Sequence, residues 1–191
     1  MTAFLILLMS LFPSKETTIP VSKRGDFIAY IVQGEKKFPV KNNVIQLAPA
    51  PFQIIFEFPE PHGVEVSASF DKSTFEKVNS KIHYRALPGF VHIGMAEEWK
   101  NLDRSIIVAD SAASYWWYDT DEKNRFDSIQ IVEGKIICFR SVDFIHNRFE
   151  KNKINISQIV EPLYLVFVTS DYVDNKWHEY KRKGVCIKWH K

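Results

Sequence analysis

Aromatic and ionisable side chains crowd together in one stretch of the sequence, from Tyr115 to Arg125. The apolar faces of sugar rings stack on Trp and Tyr, while carboxylates and guanidinium groups bind the sugar hydroxyls. The same residue types concentrate binding energy in protein interfaces. The stretch therefore predicts a ligand-binding site for a glycan or a partner protein, with these candidates: Trp116, Trp117, Tyr118, Asp119, Asp121 and Arg125.

The aromatic part of this stretch, Tyr115–Tyr118, is predicted to be a β-strand. Successive side chains on a strand point to opposite faces, so the four aromatic residues form two pairs that face opposite ways. Only one pair can enter a core between two sheets. We expect the other pair to lie at the surface beside the acidic loop Asp119–Arg125. The alternative is a second small hydrophobic cluster that a local loop covers.

A carboxylate-dependent hydrolase of the glycosidase kind is the rival interpretation. Its candidate acid–base groups are Asp110, Asp119, Glu97 and Glu98. Glycoside cleavage needs two carboxylates at a fixed separation, which a sequence does not provide. Glycine-rich nucleotide motifs and the G-x-S-x-G motif of serine hydrolases are absent. No catalytic residue is therefore assigned, and a non-enzymatic binding module is the favoured interpretation.

Metal ions, cofactors and nucleic acids are not predicted partners. The six histidines lack the H-x-H or H-x-x-x-H spacing that places two imidazoles together. A loop with Asp119, Asp121, Asn124 and Asp127 offers oxygen ligands, but Asn124 stands where a calcium loop needs glycine. The formal net charge is +2, from 25 basic and 23 acidic residues, which gives no electrostatic reason to expect nucleic acid.

The N-terminal segment, residues 1–14, resembles an export signal. Ala3–Phe12 is apolar apart from Ser10 and is too short to span a bilayer as a helix. No Lys or Arg precedes it, and no A-x-A-like cleavage site follows. We expect a secreted or cell-envelope (periplasmic) protein without an integral membrane span. The alternative is a cytoplasmic interaction protein whose N-terminal segment packs on the domain.

Many short strand patterns and few helical ones predict one domain over residues 17–191. The expected fold is mainly β: an antiparallel two-sheet sandwich, jelly-roll-like, with one or two short helices. Period-two alternation predicts one hairpin from Phe52–Phe58 and Val64–Phe70, with one face buried. A second hairpin joins Phe126–Val132 to Lys135–Val142.

Further elements follow from local signals. Lys37–Lys41 and Val44–Leu47 are predicted to form a hairpin whose first arm is an edge strand, because it contains proline. A capping box opening at Ser73 predicts a short helix. Leu163–Val168 is predicted to be a central strand, and Asp171–Gly184 a long charged loop. The pairing of the two cysteines and the oligomeric state are left open.

Overall fold

Thirteen strands and one short α-helix dominate the part of the chain that the structure describes. The structure is a computed structural model, and it describes residues 24–60, 62–82, 106–109, 114–116, 126–147 and 152–190. The strands form two sheets that share one hydrophobic core. The mainly β sandwich predicted from the sequence is confirmed.

Sheet A contains five strands, and each neighbouring pair is antiparallel. In spatial order they are β2 (Lys36–Pro39), β1 (Ile28–Gln33), β4 (Phe52–Phe58), β9 (Lys135–Val142) and β8 (Ser128–Val132). Proline is tolerated at an edge because one side of an edge strand needs no ladder hydrogen bonds. The prediction that the proline-containing strand lies at an edge is confirmed.

Sheet B has eight strands and mixed pairing, since β3 with β13, β6 with β10 and β5 with β6 are parallel. In spatial order they are β11 (Asn152–Asn155), β10 (Phe144–Asn147), β6 (Ile106–Ala109), β5 (Val64–Ser69), β12 (Leu163–Val173), β13 (Lys176–Trp189) and β3 (Asn43–Leu47), with β7 (Ser114–Trp116) pairing with β5. A 3₁₀ turn spans Ile156–Gln158, and the helix α1 spans Lys72–Glu76. The described helices are all too short and too polar to cross a membrane.

The core between the sheets is dominated by phenylalanine. Phe56 on β4 is fully buried, and its ring meets Phe167 on β12 edge-to-face, with centroids 5.2 Å apart. Phe58 stacks on Phe56 at 5.8 Å, and the rings of Phe27 and Phe126 lie at 6.0 and 6.1 Å. Tilted and edge-to-face aromatic pairs add to the stabilisation from burial. Phe56 therefore lies at the centre of the contact between the two sheets.

The hairpin predicted from Phe52–Phe58 and Val64–Phe70 is wrong. β4 pairs with β1 and β9 in sheet A, whereas β5 pairs with β12 in sheet B. The turn between them carries the chain from one sheet to the other. The predicted burial of Phe56, Val66 and Ala68 is confirmed, but β5 is buried at all six positions and not on one face alone. Alternation indicates which face of a strand is apolar and not which strand lies beside it.

Turn chemistry explains which of the other hairpins form. Glu133 and Gly134 have positive φ values of 51° and 75°, as a two-residue type I′ turn requires, and the hairpin of β8 and β9 is confirmed. The hairpin from Lys37–Lys41 and Val44–Leu47 is wrong. β2 pairs instead with β1 across Gly34, and β3 pairs in parallel with β13.

Helix α1 begins after Asp71, so the capping box predicted at Ser73 is wrong. The Asp71 carboxylate accepts hydrogen bonds from the Ser73 hydroxyl at 2.7 Å and from its backbone N–H at 2.8 Å. These hydrogen bonds lower the pKa of Asp71 below its usual value. Aspartate is as good an N-cap as serine, and it stands two residues earlier.

Helix α1 and the residues after it cover the outer face of sheet B. The Phe75 ring lies 5.9 Å from the ring of Tyr164 on β12. The Arg182 guanidinium donates to the backbone carbonyls of Val78 at 3.0 Å and Ile82 at 2.7 Å. Charge-assisted hydrogen bonds from the planar guanidinium group hold the segment after helix α1 firmly against sheet B. This cover explains why outward-facing residues of β12 are buried along with inward-facing ones.

Cys138 and Cys186 are free and buried, one in each sheet. Burial raises the pKa of Cys138 to about 12 and also raises the pKa of Cys186. Because the thiolate is the reactive form, we expect neither thiol to react with Ellman's reagent in the native protein. Both should react after unfolding in guanidinium chloride. One rapidly reacting thiol in the native protein would contradict this assignment.

Candidate functional site

The candidate residues of the aromatic stretch fall almost wholly outside the described structure. Trp117, Tyr118, Asp119, Asp121 and Arg125 lie outside the described residues, and for Trp116 the backbone alone is described. That backbone belongs to β7, and Trp116 pairs with Val64 at the start of β5. The carboxylates of the hydrolase interpretation, Asp110, Asp119, Glu97 and Glu98, also lie outside the described residues. Both site assignments stay predictions.

The hairpin of β12 and β13 extends beyond the rest of sheet B. β12 pairs with β5 only as far as Val168, and β13 pairs with β3 only from Val185 onward. Between these points the two strands pair with each other, and no other described strand continues beside them. Asp174 and Asn175 close the hairpin with φ values of 51° and 60°, which are those of a type I′ turn. We call residues 169–183 the ribbon.

The long charged loop predicted for Asp171–Gly184 is therefore wrong, because this segment is part of the ribbon. Neither face of the ribbon tip enters the core, so its sequence lacks the apolar alternation that identifies a half-buried strand. One local signal was available. Tyr172 and Trp177 stand symmetrically about Asp174–Asn175, a residue pair that tolerates positive φ.

The ribbon tip presents an aromatic pair on one face. Tyr172 and Trp177 are directly opposite in the strand register, with ring centroids 5.3 Å apart and a tilt of 58°. They are 59% and 51% exposed, although paired aromatics on a hairpin stabilise each other. Asp171 and His178 form the neighbouring cross-strand pair and so lie on the opposite face of the ribbon. Two large aromatic side chains are thus held side by side in contact with solvent.

A polar cluster fixes the base of the ribbon on its other face. The Asp171 carboxylate accepts from Arg24 at 2.9 Å and from the Tyr180 hydroxyl at 3.4 Å. Burial and the nearby Asp171 carboxylate raise the pKa of Tyr180, which keeps its hydroxyl a donor. His62 Nε2 lies 3.9 Å from Asp171, while Nδ1 donates to the Gly63 carbonyl at 2.6 Å. These contacts tie the ribbon to the strand ends of both sheets.

Two further hydrogen bonds anchor the ribbon where it leaves the sandwich. The Thr169 hydroxyl donates to the carbonyl of Gly25 at 2.5 Å, and the Ser170 hydroxyl donates to Glu65 at 2.7 Å. The register shifts here, because Ser170 pairs with Glu179 whereas Thr169 pairs with Lys181. Tyr180 is thus the additional residue of a β-bulge, and a bulge redirects side chains and increases twist. The aromatic pair is therefore carried on a firmly anchored base.

Lysine side chains line the ribbon beside the start of β1. Lys183 Nζ donates to the Phe27 carbonyl at 2.9 Å, and Lys181 forms an ion pair with Asp26. Burial, with smaller effects from the Lys181 and Lys41 ammonium groups, lowers the pKa of Lys183 to about 8. Burial thus makes the charged form less favourable in the folded state than in the unfolded chain.

We expect Lys183 to contribute more to stability as the pH rises. Its folded-state pKa of about 8 lies below the usual lysine value of 10.5, so the native protein releases this proton at lower pH than the unfolded chain does. Stability contributed by this lysine should therefore increase from pH 8 towards pH 10.5. The melting temperature of the wild type, compared with Lys183→Met, should gain roughly 2–4 °C across this range. A constant or falling difference would contradict the assignment.

A small pocket of about 200 Å³ opens beside the ribbon base. It is lined by apolar Phe27, Ile28, Phe58 and Pro59 and by polar Asp26, Glu57 and Lys135. Asp26 is paired with Lys181, and Glu57 with Lys37 at 3.5 Å. A glycosidase needs one carboxylate as proton donor and another as base or nucleophile. Two ion-paired carboxylates on an apolar pocket fit the binding of an apolar group better than acid–base catalysis.

Metal-ligating side chains do not assemble in the described ranges. No group of three or more His, Cys, Asp or Glu is placed there to hold a metal ion. Asp127 is the described member of the oxygen-rich loop considered above, and its carboxylate accepts from the backbone N–H of Ser141 at 2.5 Å. This aspartate therefore supports the β8–β9 hairpin.

Comparisons of this chain with protein-family models, with curated proteins and with solved structures found no match. The described structure brings together the ribbon, the polar cluster and the apolar pocket at one end of the sandwich. None of the three was predicted from the sequence, and neither was the exposed aromatic pair on the ribbon. The members of the polar cluster come from distant parts of the chain.

Proposed function

We propose that this protein is a non-enzymatic recognition module that binds a partner through the ribbon end of the sandwich. The observation that carries the proposal is the exposed pair of Tyr172 and Trp177 on an anchored hairpin. Tyr and Trp supply large contact areas with little loss of side-chain entropy, and they dominate binding hot spots. A strand pair already fixed by hydrogen bonds loses little further freedom when it binds.

A partner protein fits this surface better than a glycan. Sites for small ligands are concave, whereas the aromatic pair lies near the tip of a hairpin that extends past its neighbouring strands. A projecting tip can enter a groove on another protein. A glycan is the alternative ligand, because the residue types of the site predicted at Trp116–Arg125 also suit sugar binding.

The described backbone at the start of the aromatic stretch lies at the same end of the sandwich as the ribbon. β7 leads into it, and Trp116 pairs with Val64 on β5. β5 lies between β7 and β12, and Val168, where the ribbon emerges, pairs with Glu65. Neighbouring strands are about 4.8 Å apart, so the backbone of Trp116 is roughly 10 Å from the ribbon base. We propose that the ligand-binding residues predicted from the sequence, Trp116–Arg125, bind the same partner as the ribbon.

We expect Trp177→Ala to abolish partner binding while changing the melting temperature by less than about 2 °C, because the side chain is half exposed. Binding is measured in two assays: capture by the immobilised protein with photo-crosslinking at position 172, and a panel of oligosaccharides followed by tryptophan fluorescence. Val160→Ala is the matched control, since Val160 is 85% exposed on another part of the surface.

A protein partner is supported if Trp177→Ala no longer crosslinks to a captured protein and no oligosaccharide changes the tryptophan fluorescence of the wild type. A saccharide response that disappears in Trp177→Ala makes the ligand a glycan. Equal binding by Trp177→Ala and Val160→Ala would refute the role of the ribbon. A large drop in melting temperature would show that Trp177 serves packing instead.

We also propose that the apolar segment Ala3–Phe12 directs export, which makes the module extracytoplasmic. Its support is the length of the apolar run and its abrupt polar end. The intact mass and cellular fraction of the native protein test this point. Recovery of the uncleaved chain from the cytosol would contradict export and would favour a cytoplasmic interaction protein.

A further inference from the structure

Among the described strands, β8 lies at an edge of sheet A and exposes apolar side chains. It pairs with β9 on one side, and no described strand pairs with the other side. Ile131 and Val132 are 68% and 46% exposed. The strand Ser128–Val132 contains no charge and no proline. Proteins usually protect such edges with lysine or proline, because open edges pair with other strands.

The opposite edge of the same sheet carries that protection. β2 has the sequence Lys36–Lys37–Phe38–Pro39. Two ammonium groups and a missing backbone donor discourage strand pairing there. Among the described strands, the two edges of sheet A therefore differ: β2 is protected against strand pairing and β8 is not.

Strand geometry shows which backbone groups β8 offers. The two-residue turn at Glu133–Gly134 makes Val132 and Lys135 a hydrogen-bonded pair with β9, and hydrogen-bonded pairs alternate along an antiparallel ladder. The N–H and C=O groups of Ile129 and Ile131 therefore point away from β9, towards the open edge. A partner strand can form four backbone hydrogen bonds with these two residues.

We propose that the occupant of this edge is β8 of a second copy of the chain, in an antiparallel, two-fold symmetric dimer. In this dimer Gln130 lies opposite its own copy, and Ile129 lies opposite Ile131 of the second copy. Side chains that lie opposite each other share a face, so only even register shifts keep the apolar side chains together. In this symmetric register, all five residues of the strand lie opposite residues of the second copy.

Charge and packing both suit self-pairing. An uncharged strand places no like charges opposite each other when it pairs with its own copy. Ile129 packs against the core, and Ile131 pairs with buried Ile136 on the same face. Pairing Ile129 with Ile131 of the second copy would cover the exposed isoleucine and join the two cores. An isologous contact closes on itself, so it forms a dimer and not a fibre.

The contact is small, and we expect a weak dimer. Five residues from each copy are far fewer than the roughly 20–30 of a standard interface. A dissociation constant on the order of 10⁻⁵ M is therefore expected.

Sedimentation equilibrium of the full chain at about 1 to 200 μM, concentrations below and above the expected dissociation constant, tests the proposal. The mass should rise from 22.3 kDa towards twice that value. Ile131→Pro removes a donor that points to the open edge, and Ile131→Lys adds the missing protection. Each should raise the dissociation constant at least tenfold. Val132→Lys is the matched control on the other face, and it should change the constant less than threefold.

Disulfide trapping tests the register separately. Gln130→Cys should form a covalent dimer under mild oxidation, because opposed residues are within the ~4.4–6.8 Å between Cα atoms that a disulfide requires. Ser128→Cys should not, because in this register the two copies of residue 128 are four residues, or ~14 Å, apart. The native cysteines are buried and do not interfere.

A wild type that stays monomeric at every concentration would overturn the proposal, as would dimerisation unaffected by both Ile131 variants. Trapping through Ser128→Cys but not Gln130→Cys would reject the register. The ribbon is not part of this contact, so Trp177→Ala should dimerise as the wild type does. Failure of dimerisation and failure of the proposed recognition function are thereby distinguished.

Discussion

Replacing Phe56 by Ala is expected to lower the free energy of unfolding by about 3–5 kcal/mol, because it leaves a large cavity. The ring is fully buried, and among the described residues it contacts the rings of Phe27, Phe58, Phe126 and Phe167. Phe58 lies on β4 of sheet A and Phe167 on β12 of sheet B, so the cavity would weaken the contact between the two sheets. Chemical denaturation in urea, followed by far-UV circular dichroism, measures the change.

Ile55→Ala is the matched control for this experiment. Ile55 immediately precedes Phe56 on β4, and its side chain points to the outer face of sheet A, where it is partly exposed. We expect a loss smaller by at least a factor of two, since less buried surface is removed. Equal losses at the two positions would contradict the assignment of the core face.

Gly25→Ala is expected to destabilise the protein by about 2–4 kcal/mol, from strain and overpacking together. Gly25 has a positive φ of 66°, and a Cβ atom there would lie 2.6 Å from Cδ2 and 2.7 Å from Cβ of Tyr180. One of these neighbours is the first side-chain atom of the bulged residue, which cannot move without the backbone. Thermal unfolding of the purified variant measures the cost.

Gly34→Ala separates the two causes. Gly34 also has a positive φ, 58°, but apart from its two chain neighbours no residue comes within 4 Å of its Cβ position. This variant should lose only about 1 kcal/mol, which is the cost of backbone strain alone. If the two variants lose the same stability, the contact between Gly25 and Tyr180 does not hold the ribbon base. If Gly25→Ala is worse, its partner binding should also weaken, because the ribbon is displaced.

Local signals in the sequence predicted most strands and the faces they bury. The alternation around Phe56, Val66 and Ala68 identifies core positions because side chains on a strand alternate whatever the neighbouring strand is. The turn at Glu133–Gly134 identified its hairpin because positive φ at two successive residues is a local property. The sandwich class follows from many such strands. These features depend on residues close together in the chain.

Strand partners and the candidate site were decided by tertiary structure. The turn after Phe58 gives no sign that β5 will join the other sheet, because pairing energy depends on strands that are distant in sequence. The polar cluster also depends on tertiary structure, because Arg24, His62 and Asp171 meet only where strand ends from both sheets converge.

The ribbon shows the same limit for function. Its sequence is charged and lacks a buried face, so sequence analysis predicted a loop, whereas backbone pairing and a type I′ turn make it a hairpin. The site at Trp116–Arg125 was predicted from residue types and from the alternation of side chains on a strand, and it stays a prediction. The sequence by itself determined the residue types available for binding. Only the fold decided that Tyr172 and Trp177 stand together in solvent, because exposure depends on what the rest of the chain leaves uncovered.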